Sequence, residues 1–172
     1  MDLKSHIREV PDYPKPGILF YDITTLLGNA AAFKESVDRM YALVKNYKID
    51  KVIGIESRGY IFGAPLALKL NTSFIPIRKP GKLPSKIISE SYSLEYGKNT
   101  LEMHEDAINS GENVLLVDDL LATGGTTVAA INMVEKLKGN VIAVVYLIEL
   151  DFLKGRKKLD GYNTHSVLHY DK

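Results

Sequence analysis

Two adjacent carboxylates, Asp118 and Asp119, stand just ahead of a run of small and hydroxyl-bearing residues: Ala122, Thr123, Gly124, Gly125 and Thr126. The apolar stretch Val114-Leu115-Leu116-Val117 precedes them and reads as a buried strand. Residues of these types at this spacing can hold a phosphorylated sugar. Backbone N–H groups of the turn and the Thr123 and Thr126 hydroxyls can converge on one phosphate, while Gly124 and Gly125 permit positive φ and close approach. A helix opening at Thr126 adds its positive N-terminal end. The two aspartates cannot favour a phosphate, but as ionised acceptors they suit a vicinal diol such as the 2- and 3-hydroxyls of ribose. Their charge can also stabilise positive charge developing on the sugar ring. Phosphate followed by diol describes a ribose 5-phosphate. A glycine-rich turn alone is more often just a turn; here acids, glycines and a helix start share one strand end.

These groups need a scaffold, and the pattern of apolar residues supplies one. Lys51-Val52-Ile53-Gly54-Ile55 reads as a buried strand, residues 58–70 as a helix disturbed at Pro65, and residues 73–77 as a second strand. Residues 114–117 make a third strand, 126–138 a helix with Val128, Ile131, Val134 and Leu137 inward, and 141–147 a fourth strand. An earlier helix is predicted from an Asn29 N-cap, with Phe33, Val37, Met40, Tyr41, Val44 and Tyr47 on one face. Continuous apolar strands alternating with helices indicate an α/β fold, an open parallel sheet flanked by helices. In such sheets ligands sit beyond the carboxyl ends of the strands, where the two aspartates lie.

Composition removes several function classes. The 172 residues are 45% hydrophobic and 25% charged, with 22 basic and 21 acidic residues and a net charge of +1. That balance gives no cationic field for nucleic acid. There is no cysteine, hence no disulfide, thiolate metal site or Cys nucleophile. No apolar run approaches the roughly 20 residues of a membrane span and no signal-peptide core is present, so a cytoplasmic protein with no membrane or nucleic-acid partner is expected. Neither G-x-x-x-x-G-K-[ST] nor G-x-G-x-x-G occurs, which sets aside P-loop and dinucleotide-binding folds.

Four other segments carry readings of their own. Pro11, Pro14, Pro16 and Gly17 mark a turn-rich start that reads as extended chain draped over other structure. Residues 79–99 lack firm periodicity and read as a lid, either a loop or a short hairpin with strands at Ile87-Ile88 and residues 92–96. His165 and His169 have the spacing of a helical metal pair, but residues 164–170 alternate like a strand, so both read as structural. The basic run at residues 154–158 reads as a solvated turn.

The segment around Asp118 to Thr127 resembles the phosphoribosyl-diphosphate motif of the type I phosphoribosyltransferases, in the form carried by members that use adenine. The likeness spans almost the whole chain. Pro16-Gly17-Ile18-Leu19-Phe20-Tyr21-Asp22-Ile23 is similar to the family's base-pocket segment, and Gly54-Ile55-Glu56-Ser57-Arg58-Gly59 to its diphosphate loop. Ile77-Arg78-Lys79-Pro80-Gly81-Lys82-Leu83-Pro84 and Ser91-Tyr92-Ser93-Leu94-Glu95-Tyr96-Gly97 are similar to its flexible loop.

The resemblance implies a single phosphoribosyltransferase domain over residues 1–172, with a hood at about 1–28 and a lid at about 79–99. It implies transfer of the phosphoribosyl group from 5-phosphoribosyl diphosphate to adenine, giving AMP and diphosphate, in a homodimer. Ala122, Thr123, Gly124, Gly125 and Thr126 would hold the 5-phosphate, and Asp118, Asp119 and Tyr96 the ribose. Ser57, Arg58, Lys79 and Lys82 would hold the diphosphate; Arg58 offers it a forked set of donors. Mg²⁺ is implied as cofactor, held mainly by substrate and water rather than by protein ligands. Glu95, with Arg58, would be catalytic, Glu95 handling the purine ring proton. Phe20 would stack on adenine while the backbone of Leu19 and Tyr21 reads its edge; Tyr21 differs from the basic residue that related enzymes often carry. A cis peptide is implied between Glu56 and Ser57. Two other readings share the fold: the same transfer to guanine, hypoxanthine or xanthine, and a purine-responsive regulator that binds the donor without turnover.

Overall fold

The computed structural model describes residues 1–93 and 97–172, which form two compact units, Met1–Arg39 and Met40–Lys172. In the first unit, strand β1 (Arg8–Pro11) pairs antiparallel with β2 (Leu19–Asp22), with Arg8 opposite Asp22 and Pro11 opposite Leu19. The extended chain of the proline-rich start is therefore organised as a hairpin. Its turn is built by residues that accept positive φ, Asp12 at 56° and Gly17 at 84°, and the Asp12 carboxylate accepts from the Gly17 N–H at 2.7 Å. The Tyr13–Pro14 bond is cis. Alternation along β2 places Phe20 and Tyr21 on opposite faces; the Tyr21 side chain is buried, and the Tyr13 and Phe20 rings meet edge-on at 5.2 Å.

After the single turn α1 (Thr24–Leu27), helix α2 (Ala30–Val44) starts at the Asn29 cap, whose side-chain oxygen accepts from the Ala32 N–H at 3.0 Å. The helix stops at Val44, so Tyr47 leaves the predicted face and instead bonds His165 Nε2 at 2.9 Å.

The second unit carries β3 (Lys51–Ile55), α3 (Arg58–Lys69), β4 (Ser73–Ile77), β5 (Ile87–Ser93) and β6 (Lys98–His104), then β7 (Asn113–Leu121), α4 (Gly125–Lys136), β8 (Asn140–Leu150) and β9 (Thr164–Tyr170). The main sheet has the order β4-β3-β7-β8-β9 with every pair parallel. Both faces are covered, which is why its strands are nearly continuous apolar runs. Ile53, Ile55, Val114, Leu116, Val144 and Tyr146 share a core with Ala130, Ile131 and Val134 of α4. The alternate residues Val52, Leu115 and Val145 are fully buried as well, and α3 packs on β3 and β7. Chain order reverses between β3 and β7, which makes a topological switch point there.

Two elements differ from the sequence reading. The segment expected to form a lid contains a hairpin of β5 and β6; of residues 92–96, expected as its second strand, Tyr92 and Ser93 belong to β5 and 94–96 lie outside the described residues. Tyr92 and Ser93 complete β5, whose Ile88, Glu90 and Tyr92 alternate inward between exposed Ile87, Ser89, Ser91 and Ser93. Serines on the outer face hid that period of two. Strand β7 also runs on through Asp118 and Asp119 to Leu121, because the long β8 continues to pair with it at Leu120 and Leu121. No helix among the described residues is long and apolar enough to cross a membrane.

Candidate active site

At the carboxyl edge of the switch point lies a cleft of about 320 Å³. Glu56, Ser57 and Arg58 reach it from the end of β3, Lys79 from beyond β4, and Asp118, Asp119 and Leu120 from β7. Ala122 and Thr126 come from the turn into α4, and Tyr92 and Leu101 from the hairpin. Ser57, Arg58, Lys79, Asp118, Asp119, Ala122 and Thr126, distant in sequence, thus share one cavity. Lys82 joins them indirectly, through an ion pair between its Nζ and Glu56. Between Ala122 and Thr126 lie Thr123 and Gly124 of the turn and Gly125, the first residue of α4. Leu19, Phe20 and Tyr21 belong to the Met1–Arg39 unit. Glu95 and Tyr96 lie outside the described residues.

Close backbone packing brings the two sides of the cleft together. A Cβ at Gly59 would sit 2.7 Å from the Val117 carbonyl oxygen and 3.1 Å from Asp118 Oδ1, so the first turn of α3 lies flush on β7. Arg58 is then in reach of the strand, and its Nε donates to Asp119 Oδ2 at 2.5 Å. Asp118 Oδ1 accepts from the Asp119 N–H at 2.9 Å. Burial, reinforced by the neighbouring Asp119 carboxylate, pushes the Asp118 carboxyl well above the usual carboxylate range. The peptide bond Glu56–Ser57 is cis.

The turn has the features an anion site requires. Gly124 adopts φ 83°, in the left-handed region that glycine tolerates, and serves as the N-terminal boundary of α4. No side chain caps α4, so its first N–H groups are offered to a ligand. The Thr126 hydroxyl donates to the Tyr92 hydroxyl at 3.0 Å, tying the hairpin to the start of the helix.

Glu56 and Tyr92 are cleft residues that sequence reasoning left without a role. The Glu56 side chain is 7% exposed; it accepts from the Lys79 N–H at 2.6 Å, pairs with Lys82, and lies 3.7 Å from Arg78 Nε. Burial alone would raise its carboxyl, but the bonds from Lys82 and Lys79 and the nearby Arg78 outweigh it and hold it below the ordinary range. The signal for Glu56 was its position: an acid directly after a buried strand, with Arg78, Lys79 and Lys82 in reach of the same edge.

Among the described residues, one trio has metal-ligand spacing, Glu149, Asp151 and His169, and it lies outside the cleft lining. The Glu149 oxygens are already engaged by Arg156 and by the Ser166 hydroxyl at 2.6 Å, and His169 Nδ1 lies 3.0 Å from Asp151. These are bonds between β8, β9 and the connecting segment, not an open coordination sphere. In the basic stretch at residues 154–158 the charged residues are exposed, as a solvated turn requires, while Gly155 among them is buried against the backbone of Ala122 and Thr123.

The sequence pattern of the phosphoribosyl transferase domain family matches residues 23–167. The adenine phosphoribosyltransferase of Brachyspira hyodysenteriae is 57% identical over 170 residues, 99% of this chain and 100% of that protein. The crystal structure of adenine phosphoribosyltransferase from Thermoanaerobacter pseudethanolicus superposes with a TM-score of 0.95 at 49% identity, covering 98% of each chain. The Saccharomyces cerevisiae adenine phosphoribosyltransferase, complexed with an imino-altritol bisphosphate and adenine, gives a TM-score of 0.91 at 40% identity, covering 97% of each chain.

Proposed function

The chain belongs to the phosphoribosyltransferase family, and from that membership we propose how its residues carry the reaction. It is a purine-salvage enzyme that transfers the phosphoribosyl group of 5-phosphoribosyl diphosphate to adenine, giving AMP and diphosphate. The observation that carries the residue assignment is the convergence, in one cleft at the switch point, of Arg58, the Asp118-Asp119 pair and the uncapped start of α4.

Ala122, Thr123, Gly124, Gly125 and Thr126 hold the 5-phosphate through backbone N–H groups and the two hydroxyls. Asp118 and Asp119 accept from the ribose hydroxyls, with Tyr96 beside the sugar. Ser57, Arg58, Lys79 and Lys82 receive the diphosphate, for which Arg58 exchanges its bond to Asp119 and Lys82 its bond to Glu56. The reaction is displacement at the anomeric carbon: the bond to diphosphate oxygen breaks, a bond to the purine nitrogen forms, and Glu95 takes the ring proton. Charge developing on the sugar is stabilised by the aspartates, so positioning and electrostatics carry the rate.

Phe20 stacks on adenine, with the Leu19 and Tyr21 backbone at its edge; the buried Tyr21 side chain is consistent with a backbone role. Residues 1–28 act as a hood and 79–99 as a lid that excludes water from the sugar donor. Of the three cleft carboxylates, Glu56 is engaged by the Lys79 N–H and Lys82, which leaves the Asp118–Asp119 pair, a donor set that suits a Mg²⁺ held mainly by substrate oxygens and water. When bound, the ion neutralises diphosphate charge. A cytoplasmic homodimer completes the reading.

An AMP-formation assay with adenine, 5-phosphoribosyl diphosphate and Mg²⁺, run beside guanine, hypoxanthine and xanthine, tests this. AMP from adenine, with no product from the other bases, is the expected result. Preferred turnover of another base overturns the base assignment, and donor binding without turnover of any base indicates a regulator.

A further inference from the structure

We propose that Gly155, fixed in place by the Arg156–Glu149 ion pair, is the positioning residue that sets the backbone of the turn at residues 122–124. The proposal rests on the reading of that turn as the 5-phosphate site. None of Gly155, Arg156 or Glu149 lines the cleft, so each acts through the turn rather than on substrate.

The packing is backbone against backbone. A Cβ built on Gly155 would overlap the carbonyl oxygen of Ala122 and come within 3.0 Å of the Thr123 carbonyl carbon. In return, a Cβ on Gly124 would lie 2.8 Å from the Gly155 carbonyl oxygen. Gly155 is not in the left-handed region, so its lack of a side chain serves space and not backbone freedom. Gly124 carries the opposite requirement, a positive φ.

The segment behind the turn is itself held at both ends. Arg156 donates from Nε to Glu149 Oε1 at 2.8 Å, pairs a second time through Nη2 with Oε2, and donates from Nη1 to the Thr164 carbonyl at 2.5 Å. Those bonds tie it to β8 and β9 at once. Leu159, 1% exposed, anchors the other end in the core shared with α4. The turn read as the phosphate site therefore has its Ala122–Thr123 backbone packed directly on a strut tied to β8, β9 and the core. Phosphate donors must meet their oxygens within a few tenths of an ångström, and a displacement of that order weakens every bond together.

The test uses Gly155→Ala, Arg156→Ala and Arg156→Lys, with Thr126→Ala as the reference change in the turn. Affinities for ribose 5-phosphate and for inorganic diphosphate are measured beside thermal stability and the KM values for both substrates. Gly155→Ala should weaken ribose 5-phosphate and raise the KM for 5-phosphoribosyl diphosphate about tenfold or more, leaving inorganic diphosphate affinity within about twofold. Arg156→Ala should shift the same quantities, and Arg156→Lys should recover part of the loss. Should Gly155→Ala fail to fold, the two Arg156 variants decide. Unchanged ribose 5-phosphate affinity in the folded strut variants, or an equal loss for inorganic diphosphate, overturns the inference. If Thr126→Ala weakens ribose 5-phosphate but the strut variants do not, the phosphate reading stands and the strut falls. If neither does, both fall.

Discussion

Arg58 Nε and Asp119 Oδ2 are 2.5 Å apart, and they stand on opposite sides of the point where the order of the sheet reverses. Arg58 opens α3 after β3, and Asp119 lies in β7, so one ion pair joins the loop expected to hold diphosphate to the strand expected to hold ribose. With Arg58 half exposed, the pair adds little to stability. Its value is orientation: Asp119 holds the guanidinium at the cleft before substrate arrives. Arg58→Ala should lower kcat/KM by about 10²-fold or more, as removal of a positioned transition-state donor does. Arg58→Lys should recover little, because an ammonium cannot reproduce the fork. Steady-state kinetics with varied 5-phosphoribosyl diphosphate check both, and near-parental activity of the lysine variant counts against the forked contact.

Replacing both Asp118 and Asp119 by Asn should weaken binding of 5-phosphoribosyl diphosphate as well as turnover, since the amide both loses charge and presents a donor toward the diol. Glu95→Gln should behave differently. Turnover should fall by about 10²- to 10⁴-fold with donor affinity nearly unchanged, the signature of a lost acid/base. Direct donor-binding measurements beside kcat separate the two cases. Equal losses of binding and turnover in Glu95→Gln remove it from proton transfer.

The parallel sheet, its helices and the glycine turn between β7 and α4 were legible because they rest on local patterns: apolar runs, glycines and hydroxyls at a strand end, an Asn cap. What stayed hidden depends on contacts between distant segments. Strand β6 was invisible because only pairing with β5 gives residues 98–104 their identity, and the Ser-rich outer face of β5 masked its own alternation. Glu56 had no role in the sequence because its partners Lys79 and Lys82 are over 20 positions away, brought close by β4 running parallel to β3. In the run at residues 154–158 the charged residues are exposed as the sequence signalled, but the contact of the buried Gly155 among them with the Ala122 backbone is of the same long-range kind. The family likeness supplied the roles of Glu95 and Phe20; no spacing rule would have.

Glu56 should matter to stability in acid. Its carboxyl is held below its ordinary value, so it contributes stability above the unfolded-state pKa and loses it as pH falls through the lowered folded value. Glu56→Gln should therefore be less stable than the parent at neutral pH, by about 1–2 kcal/mol for hydrogen bonds to a charged group with half-exposed partners. The gap should close in acid. Denaturant unfolding of both proteins across that range checks it; a gap that widens on acidification contradicts the assignment.

Asp118 should show the opposite sign. Burial and the adjacent Asp119 raise its folded pKa, so the fold favours the protonated carboxyl. The contribution is fully present below the ordinary carboxylate pKa and is lost as pH rises through the raised value. Above the ordinary carboxylate pKa the parent carries the cost of either retaining that proton or ionising a crowded acid, and Asp118→Asn removes the titrating group while keeping the shape. The variant should therefore melt higher than the parent at neutral pH, by about 2–4 °C for each kcal/mol relieved in a chain of this size. The two should converge in acid. Adding Mg²⁺ and 5-phosphoribosyl diphosphate should reverse the order at neutral pH, because a tighter ligand stabilises the fold more and the variant is expected to bind the ribose diol less well. Melting curves at neutral and acid pH, with and without ligand, read all of this directly. A variant less stable than the parent without ligand at neutral pH would show that Asp118 is held as a satisfied anion, and that the crowding with Asp119 is relieved by contacts other than those described.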